Sequence, residues 1–457
     1  MTAPALRNHV LADENIAGLL WRLSIPATVG MAVMATYNLV DAIFIGRGVG
    51  SLGLAGLAIC FPVQLIVMSL GHLIGMGGAS IISRALGAGD EARAHRTLGN
   101  VLSLVLLFAV VVTGVGFGFL DGILKLFGAT PEILPYSHAY LSVILWGTAF
   151  RIYAMSHNNI IRSEGRAKVA MTTMLIGALV NIALDPIFIF KLGMGLKGAA
   201  LATVLAQLCT TTFIVAYFGS GRSGLTMRLS DMRLSLPIVR ETLAVGAASF
   251  GRMVAGSAVM IILNHSLAHY GGNLAIAAYG VINRLLHFAF MPVMGFAQAL
   301  QPVAGFNYGA KRFAMAKRAL TISSVRSTVF ATTAFVVIMV FSRPLIGMFT
   351  RDSDLIELTV PAIRMIALAF PVIAIQVMGA ALFQAFGRAR QALFLSLSRQ
   401  IIFLIPLVLV LPLSMGLRGI FVAFPAADVL AVVVTTIMLV REFARLDRSE
   451  AAGTSVA

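Results

Sequence analysis

Asp41 and Asp185 have the most chemistry to offer in this chain, because each stands inside a long apolar run, residues 31–45 and 170–190. An acid in hydrocarbon costs at least about 3 kcal/mol even on a lenient insertion scale, so a lipid-soluble chain keeps one where it faces a polar interior. Tyr37 precedes Asp41 by one helical turn and Asn181 precedes Asp185 by one turn, which places each pair on one helix face. Counted at about 1.5 Å per residue, both acids lie about eighteen residues above helix starts near Leu23 and Ala167, so they share one depth. Thr203 and Tyr140, approached from the opposite side, reach the same outer half. Hydroxyl, amide and carboxylate oxygens suit Na⁺ or a proton, and without His or thiolate they do not suit a transition metal. Pro186 removes a backbone donor directly after Asp185 and can free a carbonyl as a further oxygen ligand. No basic residue is expected at that depth in this half, which weighs against each acid merely pairing with an arginine.

The elements that hold these residues must be membrane helices. With 59% apolar and 11% charged residues and a mean hydropathy of +0.94, the chain is too apolar for a soluble globule. About twelve blocks of bilayer-crossing length begin near Leu23, Leu52, Thr97, Tyr136, Ala167, Leu196, Pro237, Leu274, Ala319, Leu358, Gln391 and Gly416. The net charge of +16 is unevenly placed. With the N-terminus inside, the inner loops hold most of the basic residues, among them Arg7, Arg84, Arg93, Arg166, Arg222, Arg233, Arg318, Arg388 and Arg445. The outer loops hold only Arg47, Lys125, Lys191, Lys197, Arg343, Arg351 and Arg418. This asymmetry predicts cytoplasmic termini and explains the charge without nucleic acid. A secretory leader is not recognisable, so the first helix is expected to be retained. Cys60 and Cys209 lie inside apolar blocks and read as small core residues.

The chain also repeats itself. Gly165-Arg166-Ala167-Lys168 recurs as Gly387-Arg388-Ala389-Arg390, Gly195-Leu196-Lys197-Gly198 recurs as Gly416-Leu417-Arg418-Gly419, and Leu52 to Ala58 echoes Leu274 to Gly280. Halves with an even number of crossings enter the membrane in the same direction, which makes this a parallel repeat. The expected organisation is a cytoplasmic segment 1–15, an N-lobe 16–218, a polar cytoplasmic linker 219–236, a C-lobe 237–441 and a cytoplasmic tail 442–457. The fold class is therefore all-α and polytopic, with twelve helices in two pseudo-symmetric six-helix bundles.

Tyr-Asn-Leu-Val-Asp at 37–41 and Asn-Ile-Ala-Leu-Asp-Pro at 181–186, set in this architecture, resemble the multidrug and toxic compound extrusion (MATE) family, in particular its DinF-like prokaryotic branch. The resemblance covers essentially the whole chain. It implies a multi-pass protein of the inner cell membrane, with a cavity between two lobes, that exports organic, mostly cationic or amphipathic compounds by antiport against H⁺ or Na⁺. Carried over by residue, Asp41, Asn181, Asp185 and Thr203 look like the N-lobe cation site, holding Na⁺ if the protein is sodium-coupled, with Tyr140 beside it; Tyr37 joins the candidate site by its spacing from Asp41 alone. Pro26 matches a first-helix proline proposed to bend, and proline is a physically reasonable kink. The expected partners are drug-like molecules and membrane lipids, with H⁺ or Na⁺ as coupling ion, no other cofactor, no obligate protein partner and a monomeric state. The acid-based sodium site that other branches build in the C-lobe is not transferred, because the seventh and tenth helices carry no mid-membrane acid.

In the C-lobe, Arg252 and Arg284 fall inside the seventh and eighth helices and Asp428 near the middle of the twelfth, which predicts a buried ionic network. Unpaired, those arginines would suit an anionic headgroup, and the alternative function is a lipid-linked saccharide flippase of the same superfamily. Enzyme readings are weaker. The glycine patterns at 48–53 and 193–198 lie in short outer loops rather than after a soluble strand, and His265 and His269 lack the glutamate of a zinc protease. An intramembrane aspartyl hydrolase would need Asp41 and Asp185 to share one proton.

Overall fold

The computed structural model describes residues 9–451. Among them there are helices joined by short turns and no strand, as expected of a chain that must satisfy every backbone N–H and C=O without water. The first half holds α1 (Ile16–Gly48), α2 (Ser51–Ala88), α3 (Glu91–Gly118), the short α4 (Leu120–Leu126), α5 (Leu134–Trp146), α6 (Thr148–Ser163), α7 (Ala167–Pro186) and α8 (Gly195–Gly219). The second holds α9 (Leu236–Gly309), α10 (Phe313–Gly347), α11 (Ser353–Ala367), α12 (Phe370–Ala385), α13 (Ala389–Leu397), α14 (Ile405–Met415) and α15 (Leu417–Ala451).

Twelve crossings follow once the breaks are understood. The 74-residue α9 is two crossings meeting at Gly272, whose φ of 63° and ψ of −161° suit only glycine. α11 and α12 form one crossing bent by 50°. α5 and α6 form another, interrupted at Gly147, where a Cβ would lie 2.6 Å from Val204. π-helical turns close α7 at Ile187–Lys191 and join α13 to α14 at Ser398–Leu404. Apolar-block counting places the starts of α7 and α8 within a residue, but puts the third crossing at Thr97 although α3 begins at Glu91. The polar first turn of α3 lies outside the apolar block, and Asp90 caps it by accepting from the Arg93 N–H at 2.9 Å.

The chain divides into two compact units, one of residues up to Val10 with Pro26–Phe250, the other of Leu11–Ile25 with Gly251–Ala457. The division falls within α1, at Pro26. In the first unit Ile45, Cys60, Leu124, Tyr140, Leu145 and Leu196 share a core. In the second, Leu263, Ile282, Ile363, Phe421 and Phe424 do. Large apolar side chains such as Val110, Trp146, Val340 and Leu413 stay exposed, as suits a surface solvated by lipid tails. Gly71 and Gly75 sit at close helix contacts, against Met155 and the Ser156 backbone, whereas a Cβ at Gly114 or Gly118 would meet nothing within 4 Å.

Segment 219–236 is more than a loose polar tether. Asn100 donates to the carbonyls of Asp231 (3.3 Å) and Arg233 (3.2 Å) and accepts from the Ser235 N–H (2.7 Å). Ser103 donates to the Met232 carbonyl at 2.6 Å. Glu164, in the turn after α6, accepts from Ser223 and from the Leu225 N–H. Burial pushes the Glu164 carboxyl up to about 7, against the pull of these donors and of Arg166. Arg7, counted among the inner-loop charges, lies outside the described residues.

Candidate functional site

α1 presents Tyr37 and Asp41, α5 Tyr140, α7 Asn181 and Asp185, and α8 Thr203. All belong to the first compact unit, and the structure brings them together. The carboxyls of Asp41 and Asp185 lie within hydrogen-bonding reach of each other. The Asn181 amide donates to the Thr203 hydroxyl at 3.3 Å, and the Tyr37 hydroxyl also meets Thr203. Asp41 and Tyr140 interact electrostatically. Asp41, Asn181, Asp185, Thr203 and Tyr140 are all buried, Asp185 completely.

The site is short of donors. Oδ1 of Asp41, Oδ1 of Asn181 and both carboxylate oxygens of Asp185 are buried without a hydrogen-bond donor, and among the described residues neither acid has a salt bridge. Two ionised carboxylates about 4 Å apart repel by about 4 kcal/mol at an effective dielectric of 20, so the pair is relieved by one proton or one cation. The unpartnered oxygens fit a hard cation. Pro26 is buried within α1, which is continuous through it.

Sequence reasoning missed two neighbours. Arg151, one turn into α6, donates to Gln64 Oε1 on α2 at 3.1 Å, and Gln64 Nε2 donates to the Tyr140 hydroxyl at 3.4 Å. The expectation that no basic residue lies at this depth is therefore corrected. Arg151 sits in the interior of the fourth crossing, but its charge is directed at an amide and the two tyrosines rather than paired with an acid. The available signal was a charged residue, Arg151, and an amide, Gln64, inside stretches counted as membrane crossings.

The predicted C-lobe network also needs correction. Asp428 is bonded by Arg399, which lies in the π-helical turn Ser398–Leu404, and Tyr279 senses the same guanidinium. Arg284 is exposed, and Arg252 is half-buried with no ion pair among the described residues. Depth counting located the acid. It could not see that the widened turn presents Arg399 to it.

Comparison with known proteins agrees with this architecture. The MatE family model matches residues 26–187 and 248–410, once in each half. The multidrug export protein MepA of Staphylococcus saprophyticus is 27% identical over 433 residues, covering 94% of this chain and 95% of its own. The solved structure of the MATE multidrug transporter DinF-BH, held in a complex with a small molecule, is 42% identical, with a TM-score of 0.86 over 93% of this chain and 95% of that one. A MOP superfamily transporter from Pyrococcus furiosus, described as having a binding pocket of reverse polarity that suggests a different function, superposes with a TM-score of 0.90 at 28% identity, covering 98% and 99% of the two chains.

Proposed function

The chain belongs to the MatE family, and from that premise we propose that it is a secondary active exporter of drug-like organic compounds, driven by antiport against H⁺ or Na⁺. Multidrug export is the role for which the MepA relatives are named, and DinF-BH is a multidrug transporter. The observation that carries the coupling reading is the group of buried, unpartnered oxygens on Asp41, Asn181 and Asp185. A proton neutralises one acid of the pair, Na⁺ takes the oxygens of Asp41, Asn181, Asp185 and Thr203 as ligands, and an organic cation competes for the same negative charge. Competition of this kind links uptake of the ion to release of the drug, because each occupant favours the state that binds it better. Tyr37 and Tyr140 border the pair and orient it, and Pro26 supplies a place where α1 can change its bend.

The protein crosses the membrane many times. Placement in the inner cell membrane, cytoplasmic termini and a monomeric state are parts of this proposal, and the basic bias of the inner loops supports the orientation. A lipid-linked saccharide flippase would need cations free to meet an anionic headgroup; Arg399 is neutralised by Asp428, but Arg252 and Arg284 have no ion pair among the described residues, so saccharide-lipid translocation is the competing outcome of the test. The test is efflux of ethidium from proteoliposomes under an imposed proton gradient and then an imposed sodium gradient. One gradient should drive transport, and Asp41→Asn should abolish it. Coupled transport by that variant at the wild-type rate sinks the reading, and saccharide-lipid translocation without ethidium efflux favours the flippase.

A further inference from the structure

Below the acid pair, α1 and α7 continue to face each other. Turn by turn, α1 presents Tyr37, Met34 and Gly30 under Asp41, and α7 presents Asn181, Ala178 and Met174 under Asp185. The two stripes close on each other at the bottom, where a Cβ on Gly30 would lie 2.7 Å from the Met174 sulfur. That contact is about eleven residues from each acid, which is about 16 Å of helix rise. Directly beneath it sits Arg162 of α6, whose Nη2 donates to the Met174 sulfur at 3.4 Å. Asn158, one turn earlier on α6, fixes this register by donating to the Ala170 carbonyl (2.8 Å) and to the Thr173 hydroxyl (2.6 Å). An arginine at the end of a membrane helix ordinarily reaches for water. Arg162 instead reaches into the bundle and is only 9% exposed. Its Nε is buried without a hydrogen-bond partner, and among the described residues it has no ion pair.

We propose that Arg162 is an electrostatic barrier on the inner side of the coupling site, which stops the coupling cation from slipping through to the cytoplasm when no drug is exchanged for it. The inference rests on the reading of Asp41 and Asp185 as the coupling pair, and on the orientation that puts the turn between α6 and α7 on the cytoplasmic side. Oxygens that attract a cation end at Tyr37 and Asn181 on the two stripes. Below them come Met34, Ala178, Gly30 and Met174, and then a positive charge. That charge repels a passing cation strongly, because no carboxylate cancels its field and burial leaves little water to screen it. A thioether is a weak acceptor and carries no charge, so Met174 holds the guanidinium in place without neutralising it.

The experiment measures ion leak in proteoliposomes that hold the full chain and no ethidium, as the decay of an imposed proton gradient read by a lumenal pH dye and of an imposed sodium gradient read by a lumenal sodium dye. Arg162→Met should speed the decay of the coupling ion's gradient by about tenfold or more, while Arg162→Lys, which keeps the charge, should stay within about twofold of wild type. The leak should vanish again when Arg162→Met is combined with Asp41→Asn, because the ion enters through the acid pair. Met174→Glu provides a route should Arg162→Met fail to fold. The carboxylate it introduces pairs with Arg162 and should open the same leak with the guanidinium in place, while the uncharged Met174→Gln should stay closed. Wild-type leak in Arg162→Met or Met174→Glu overturns the barrier, as does a leak that persists once Asp41→Asn is added. Failure of the underlying reading looks different, since it leaves Asp41→Asn alone, with Arg162 intact, at wild-type coupled efflux.

Discussion

The two halves of this duplicated chain put opposite chemistry at equivalent places. Counted from the repeated motifs at Leu52 and Leu274, Gly165 and Gly387, and Gly195 and Gly416, the counterparts of Asp41, Asn181, Asp185 and Thr203 are Leu263, Phe403, Leu407 and Phe424. Those four residues belong to one hydrophobic cluster of the second unit. What is a polar pocket with unpartnered oxygens in one half is packed core in the other. The acid the second half does bury, Asp428, is bonded to Arg399. The contrast separates two uses of a buried charge: a carboxylate left without a cation is available to an exchangeable one, and a carboxylate given its own cation is part of the scaffold.

Four changes would break or sharpen that contrast. The largest effect is expected from Leu263→Asp, which copies Asp41 into a hydrophobic cluster. It should cost about 4 kcal/mol or more and deplete folded protein, read as yield and thermal unfolding in detergent. Wild-type stability in that variant would mean the second half retains a polar pocket of its own. Next is Arg399→Met, which strands Asp428 and should cost about 3 kcal/mol, while Arg399→Met with Asp428→Leu recovers most of the loss. Third, Asp185→Asn should slow coupled efflux by about 100-fold, equivalent to about 2.7 kcal/mol, without lowering the unfolding temperature. Simultaneous loss of fold and transport would move Asp185 into the scaffold class.

The smallest effect concerns Glu164, a buried acid held mainly by neutral donors. Its carboxyl is raised from 4.5 to about 7 in the fold, so between those values the folded chain binds the extra proton and stability falls as pH rises through that window. Glu164→Gln should therefore match wild type near pH 5 and exceed it near pH 8, with a flatter stability profile between. A parallel profile would show that Glu164 titrates alike in both states.

Much of this is legible in the sequence, and the limits have one cause. Apolar blocks of bilayer length locate the twelve crossings, and residue counting puts Asp41 and Asp185 at one level, because rise per residue is nearly constant along a helix. Depth carries no information about which way a residue faces a neighbouring helix. Counting finds Asp428 but points to Arg252 and Arg284 as its partners, since the π-helical turn Ser398–Leu404 that presents Arg399 has no signature in composition. Arg151 and Gln64 escape notice for the same reason: each is a polar residue within a counted crossing, and their meeting depends on the rotation of α2 against α6. The polar composition of 219–236 reads as a tether because the residue that binds it, Asn100, lies more than a hundred positions away.

That strap decides how the chain meets a protease. Trypsin needs several residues of unbonded backbone around its arginine, and the segment offers Arg222, Arg228 and Arg233. Arg222 is exposed beside Gly221, whereas the Arg233 carbonyl is bonded to Asn100. Because Ser223 and the Leu225 N–H just after Arg222 are in turn held by Glu164, a brief digest should spare Arg222 as well as Arg233 and leave the ancestral seam closed.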